Sequence, residues 1–262
     1  MAFYAANFVF NDIPSENFGL RISSNNGEES TDASSDVTFV TQRVFRKPVL
    51  YLLGVSQDKI LTFPVSFRSE RKIDAIMATQ IQKTLFGQIG YKKLQVIAPD
   101  YDQYYWNCYL SSPKIVRVGN EIVGWDADVV CDSPWGYTFA KTLTYSYTSP
   151  VGNSPILFNN RSGNNDYIPC QIIVTMANTG GNFTIINTSD NNRNFTFSGL
   201  AANEIVATDN SVQIITSSLG YNRVPNFNYG WLRFLPGRND LLVSGQIIKL
   251  EIKYRFAQKI GG

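Results

Sequence analysis

Trp231-Leu-Arg-Phe-Leu-Pro-Gly-Arg-Asn-Asp-Leu-Leu-Val-Ser-Gly-Gln-Ile-Ile-Lys-Leu-Glu-Ile-Lys-Tyr-Arg255 is the stretch that decides the fold. It reads as three short strands separated by two turns. Trp231, Phe234 and Leu235 lead into Pro236-Gly237, a pair suited to a type II turn because Pro presets φ and Gly accepts a positive one. Leu241 to Val243 form a short run that ends at Ser244-Gly245. Ile248, Leu250, Ile252 and Tyr254 then alternate with Lys249, Glu251 and Lys253, the period of a strand with one buried face. The ending predicts a closing β-sheet.

Upstream, residues 1–136 read as β-rich with one helix. Candidate strands are 8–10, 18–22, 37–40, 49–53 and 61–67, and in the last Leu61, Phe63, Val65 and Phe67 alternate strictly. Residues 23–36 are rich in Ser, Asn, Glu and Asp and read as a loop or a hairpin tip. Ser69 is the expected N-cap of a helix at about 70–86, with Ile73, Ile76, Met77, Ile81 and Leu85 as its apolar face and Gly87 and Gly90 as its stop. Strands return at 94–97, 104–110, 115–118 and 122–130, the last two joined by a hairpin turning at Gly119-Asn120. Pro134 and Gly136 interrupt the pattern and mark the expected boundary between domains 1–140 and 141–262.

The second half differs in turn chemistry. Seventeen of the 24 asparagines follow residue 150, mostly between short runs at 168–175, 182–186, 194–197, 205–207 and 212–215. Short strands with Asn/Gly/Ser/Thr turns every 8–12 residues predict a β-sandwich or jelly roll.

Composition excludes several function classes. There is no histidine among 262 residues, which removes the usual general base, triad partner and zinc ligand. Net charge is +2, and residues 151–262 carry nine Lys/Arg against six Asp/Glu, so the concentrated positive charge of a nucleic-acid binder is missing. No segment has the ~20 apolar residues of a membrane helix, and Met1 to Asn7 lack the basic and apolar regions of a secretion signal. No membrane insertion is expected. Cys108, Cys131 and Cys170 are far apart in sequence and read as buried free thiols suited to a reducing cytoplasm.

Asp100/Asp102 and Asp126/Asp128 are the closest carboxylate pairs. The first reads as a turn and the second as the wet face of a strand whose other face carries Trp125, Ala127 and Val129. No catalytic residue, metal ligand or cofactor is expected, and no Gly-rich phosphate loop occurs. Four Asn-x-Ser/Thr tripeptides, at Asn160, Asn182, Asn187 and Asn194, read as chance matches in a turn-rich region. Tyr221, Tyr229 and Trp231, near Phe227 and several asparagines, are candidate stacking residues for a saccharide, weighed against ordinary core and rim packing.

The order of motifs resembles the distal tail proteins of long, flexible-tailed (siphovirus) bacteriophages, the tail-tip hub family. Four stretches carry the resemblance: Phe8-Val-Phe-Asn11, Asn17-Phe-Gly-Leu-Arg-Ile22, the exit Cys131-Asp-Ser-Pro-Trp135, and Trp231–Gly245 with its turn residues Pro236, Gly237, Asn239 and Gly245. The resemblance implies a mainly β chain with an N-terminal β-sandwich or barrel flanked by one helix. Its C-terminal domain would be a galectin-like or carbohydrate-binding-module-like jelly-roll sandwich. It further implies a non-enzymatic structural hub in a hexameric ring at the distal end of the virion tail, assembled in the host cytoplasm. The partners implied are the major tail (tube) protein on one side and a tail-associated lysin, fibre or receptor-binding protein on the other. The alternative is a carbohydrate-binding protein whose C-terminal sandwich contacts host cell-wall saccharide.

Overall fold

The computed structural model describes residues 3–24, 38–56, 60–164 and 166–260. They form two units, Met1–Thr138 with Gln258–Gly262, and Phe139–Ala257. The segment expected to be a polar loop, 25–36, lies outside the described residues.

In the first unit the strands are β1 (Asn7–Phe10), β2 (Ile13–Pro14), β3 (Leu20–Ser24), β4 (Thr38–Arg43), β5 (Leu50–Ser56) and β6 (Thr62–Ile73). Helix α1 (Ala75–Phe86) follows, then β7 (Lys92–Ile97), β8 (Tyr104–Val118), β9 (Glu121–Cys131) and β10 (Gly136–Thr138). The main sheet runs in the order β2-β1-β7-β8-β9-β6-β3. Ala6 and Ile22 exchange two backbone hydrogen bonds of 2.9 Å, so the chain entering β1 joins β3 and closes the sheet into a barrel. The strictly alternating residues fill it: Leu61, Phe63, Val65 and Phe67 are buried, as are Trp106, Cys108 and Leu110 from β8 and Trp125, Ala127 and Val129 from β9. The two expected strands at 104–110 and 115–118 are one continuous β8, bulged between Ser111 and Lys114, and its hairpin with β9 turns at Gly119-Asn120.

The helix begins later than its sequence suggests. Asp74 is the N-cap, its Oδ1 accepting from the Met77 amide at 2.7 Å. Ser69 lies in β6, where its register partner is Leu20 and its hydroxyl bonds the Gly19 and Arg71 carbonyls. Pairing with β3 and β9 holds residues 69–73 extended, and Ile73 pairs with Ile122. The buried stripe is Ala78, Ile81 and Leu85, whereas Ile76 is 73% exposed. Gly87 ends the helix as expected, because a Cβ there would stand 2.6 Å from the Lys83 carbonyl oxygen.

The second unit contains β11 (Lys141–Ser146), β12 (Val151–Asn160), β13 (Ile168–Pro169), β14 (Gln171–Met176), β15 (Gly181–Asn187) and β16 (Arg193–Leu200). It continues with β17 (Ile205–Asp209), β18 (Ile214–Ser217), β19 (Arg233–Phe234), β20 (Gly237–Gly245) and β21 (Ile247–Tyr254); β22 (Ala257–Gln258) follows. One sheet has the order β11-β21-β14-β17-β18 and the other β12-β20-β15-β16. Ile172, Val174, Leu250 and Ile252 from the first sheet share a core with Phe158, Phe183, Phe195, Phe197 and Val243 from the second, which makes a two-layer sandwich. The closing strand departs from simple alternation. Thr175 pairs with Lys249 and Met176 with Ile247, so Ile248 is the extra residue of a bulge, 41% exposed while Ile247 is buried.

Asp74→Ala is expected to destabilise the first unit by about 1 kcal/mol through loss of the cap, while Ser69→Ala leaves helix content unchanged. Urea denaturation followed by far-UV circular dichroism checks both.

Candidate functional site

The turn motif Pro236-Gly237-x-Asn239 is held together by one side chain. Asn239 is fully buried. Its Oδ1 accepts from the Leu235 amide at 2.9 Å and from Asn187 Nδ2 at 3.0 Å, and its Nδ2 donates to the Leu235 and Gly237 carbonyls at 2.8 and 3.1 Å. Both donors and both acceptor positions of the amide are therefore used. Gly237 has φ +78, as the Pro-Gly pair predicts. Gly245 is different in kind: φ is +128, and a Cβ would stand 2.3 Å from the Asn182 carbonyl oxygen. All four motif residues thus serve the turns and close strand approach of the sandwich.

Beside them lies a buried polar network. Asp190, 5% exposed, receives Arg193 Nε at 2.6 Å and Arg233 Nε at 2.8 Å, and the Arg233 bond is the main cause holding its carboxyl below the ordinary range. Glu204, with no exposed surface, receives Arg223 Nη2 at 2.5 Å, the Ser217 hydroxyl at 2.6 Å and the Ala201 amide at 2.8 Å. Burial pushes its pKa up, but these hydrogen bonds outweigh burial and the net shift is downward.

Of the three candidate saccharide residues, the structure brings two together. Tyr229, 63% exposed, and half-buried Trp231 flank the buried Phe227, with ring centroids 6.0 and 4.7 Å from it. Phe227 itself packs on Phe195 and Phe197. Tyr221 stands apart, with the Arg223 guanidinium 4.8 Å from its ring centroid. Asn228 does structural work beside this platform: its side chain bonds the Thr196 amide and the Asn194 carbonyl, covering the outer edge of β16.

The carboxylates are placed as their spacing suggests. Asp126 accepts from Arg68 Nη2 at 2.7 Å and from the Ser66 hydroxyl at 2.8 Å. Asp100 and Asp102 lie at the turn after β7, where the amides of Tyr101 and Asp102 bond the Ala98 carbonyl. Among the described residues no group of three or more His, Cys, Asp or Glu is arranged to hold a metal ion.

The feature least visible in the sequence is on the first unit. Among the described residues, strands β4 and β5 pair only with each other, as a two-stranded ribbon. Register places Phe39, Thr41, Arg43, Leu50 and Leu52 on one face. Phe39, Leu50 and Leu52 are 56–63% exposed, and Phe45 at the tip is 84% exposed. Residues 38–56 carry three basic side chains, Arg43, Arg46 and Lys47, and no acidic one. So large an apolar surface on a solvated ribbon is of the kind that proteins use to contact partners. The run Leu50-Tyr-Leu-Leu53 reads from sequence as a strand, and its exposure identifies it as surface.

Two sets of variants test the second unit. Gly237→Ala costs about 1–2 kcal/mol, the left-handed backbone penalty alone, whereas Gly245→Ala costs more because the Asn182 carbonyl must also move; urea titration ranks them. Glu204 is depressed in the folded state, so the stability it contributes is present above its unfolded pKa and lost as pH falls through its folded one. Glu204→Gln is expected to cost about 3 kcal/mol at neutral pH and to flatten the acid limb of the melting temperature.

Comparison with known proteins places these features. A model described as "Phage tail protein N-terminal domain" matches residues 3–133, and one described as "Phage tail C-terminal domain" matches residues 135–254. No curated protein sequence matches. Among solved structures, the crystal structure of SPP1 Dit (gp 19.1), described as a paradigm of the hub adsorption apparatus in phages infecting Gram-positive hosts, superposes with a TM-score of 0.67. That match has 8% identity and covers 97% of this chain and 100% of that one. A chain of the phage P2 baseplate in its activated conformation with Ca gives 0.57 at 10% identity, covering 96% and 97%. The same baseplate with Sr gives 0.55 at 9% identity, covering 96% and 98%. The chain shares its overall fold with these solved chains, and it belongs to the phage tail protein family whose two domain models match residues 3–133 and 135–254.

Proposed function

We propose that this protein is a non-enzymatic hub of the tail tip, forming a closed ring of six subunits through residues 1–138 and joining the tail tube to the distal receptor-binding or lysin-bearing apparatus. The observation that carries this reading is the exposed ribbon of β4 and β5. Among the described residues the free edges of the barrel sheet are the two-residue strands β2 and β22, too short to pair extensively with a neighbour, so contact between copies falls mainly on side-chain surfaces. The ribbon supplies one, with Phe39, Leu50 and Leu52 on a single face. Its apolar face on one copy and a different patch on the next make a head-to-tail contact, which gives a ring when the rotation between copies closes. Residues 139–257 have their own core and supply the contact with the distal apparatus.

A second reading keeps saccharide binding as an added role of the sandwich, favoured by the exposed Tyr229 ring beside Trp231 and Phe227.

Replacing Phe39 and Leu52 together by Asp should abolish the ring. These side chains are exposed within one copy, so the double variant is expected to keep the wild-type melting profile of the monomer while sedimenting as a monomer. Wild-type protein should sediment at six times the chain mass. A double variant that still forms the same ring overturns the ribbon's role, and a wild-type chain that stays monomeric at high micromolar concentration overturns the ring itself.

A further inference from the structure

The geometry points to Cys108 and Cys131 as an oxidative modification site, a thiol pair preset to close into a cross-strand disulfide inside the barrel. In sequence the two are far apart, but β8 and β9 bring them directly opposite each other. The hydrogen bonds define which kind of pair they make. The Cys131 amide donates to the Leu61 carbonyl at 2.9 Å, away from β8, while the next amide, Asp132, donates to Asn107 at 2.8 Å. Cys108 and Cys131 are therefore a non-hydrogen-bonded antiparallel pair. Such pairs bring their Cα atoms to about 4.5 Å, closer than hydrogen-bonded pairs, and inside the span of about 4.4–6.8 Å that a disulfide bridges.

Both side chains point into the same core, and neither has exposed surface. Both are thiols in the structure. Cys170 cannot compete, because it lies in the separate core of the second unit. Burial raises the pKa of both paired thiols, so the thiolate needed for exchange is scarce. The pair therefore reacts slowly, staying reduced in a reducing compartment and closing over long exposure to an oxidising medium. The co-reactant is a small-molecule disulfide. One cysteine sulfur attacks it to form a mixed disulfide and the other displaces the remaining half. The two protein thiols lose two protons and two electrons, an S–S bond forms between them, and the reagent leaves as two thiols. The product ties β8 to β9 at the end of the pairing where Asp132 leaves the sheet. The pairing of these thiols does not depend on whether the chain forms a ring.

The test is an equilibrium one, so slow reaction does not obscure it. The full chain is equilibrated against a series of oxidised to reduced glutathione ratios, once folded in buffer and once in concentrated guanidinium, each approached from both the oxidised and the reduced side. Acid quenching, alkylation and peptide mapping then report which cysteines are joined. The expected result is a Cys108–Cys131 link whose equilibrium constant is at least about tenfold larger in the folded chain than in the denatured one, with Cys170 remaining alkylated in the folded chain. An equal or smaller constant in the folded chain overturns the inference, as does a folded-state link that involves Cys170.

Discussion

Two hydrogen bonds between Ala6 and Ile22 turn the first sheet into a barrel, and among the described residues its free edges are the two-residue strands β2 and β22. That closure constrains everything else the first unit does. Strand addition, the simplest way for one β protein to grow onto another, has little barrel edge to extend. Phe8, Phe10, Phe67, Trp106 and Trp125 are wholly consumed in the interior, so none of them is available for contact. What remains is the outer surface and whatever the chain can place outside the barrel. The β4–β5 ribbon is such a device: a pair of strands removed from the closed sheet, with Phe39, Leu50 and Leu52 left in water.

The second unit solves a different problem with different chemistry. A sandwich made of short strands has many turns, each leaving backbone groups to satisfy. Here asparagine side chains supply the missing partners. Asn239 knits the Pro236-Gly237 turn, Asn187 bonds the Arg233 carbonyl and Asn239, Asn228 covers an edge of β16, and Asn210 bonds the Cys170 carbonyl and the Leu232 amide. The excess of asparagine after residue 150 is therefore a consequence of the architecture. The buried ions follow the same logic, Asp190 between two arginines and Glu204 under Arg223, because a buried charge is tolerated only when its hydrogen bonds are filled.

Much of the fold is legible in the sequence wherever one physical cause dominates. Alternation at 61–67, 104–110 and 250–252 marks buried faces correctly, since a pleated strand sends every second side chain to the same face. Legibility ends where tertiary pairing overrides local preference. Ser69 is a good cap residue, yet β3 and β9 hold it in a strand and Asp74 takes the role. Val151–Asn160 is not among the strands expected from sequence, and its Pro155 is tolerated because β12 is an edge strand. Ile248 breaks its own alternation because a bulge opposite Thr175 and Met176 turns it outward. The candidate site is harder still to read. Tyr221, Tyr229 and Trp231 are close in sequence, but only the last two pack on Phe227, and the ribbon reads from sequence as two strands whose exposure is not evident.

The most direct measurement of the central claim is a three-dimensional reconstruction of the intact phage tail by electron cryomicroscopy. The account predicts a six-fold ring at the distal end of the tail tube, with residues 3–138 forming the closed annulus, the β4–β5 ribbon of each copy lying on its neighbour, and residues 139–257 outside it. Density that places this chain elsewhere in the particle, or a ring in which the ribbon remains in solvent and touches no neighbour, would contradict it.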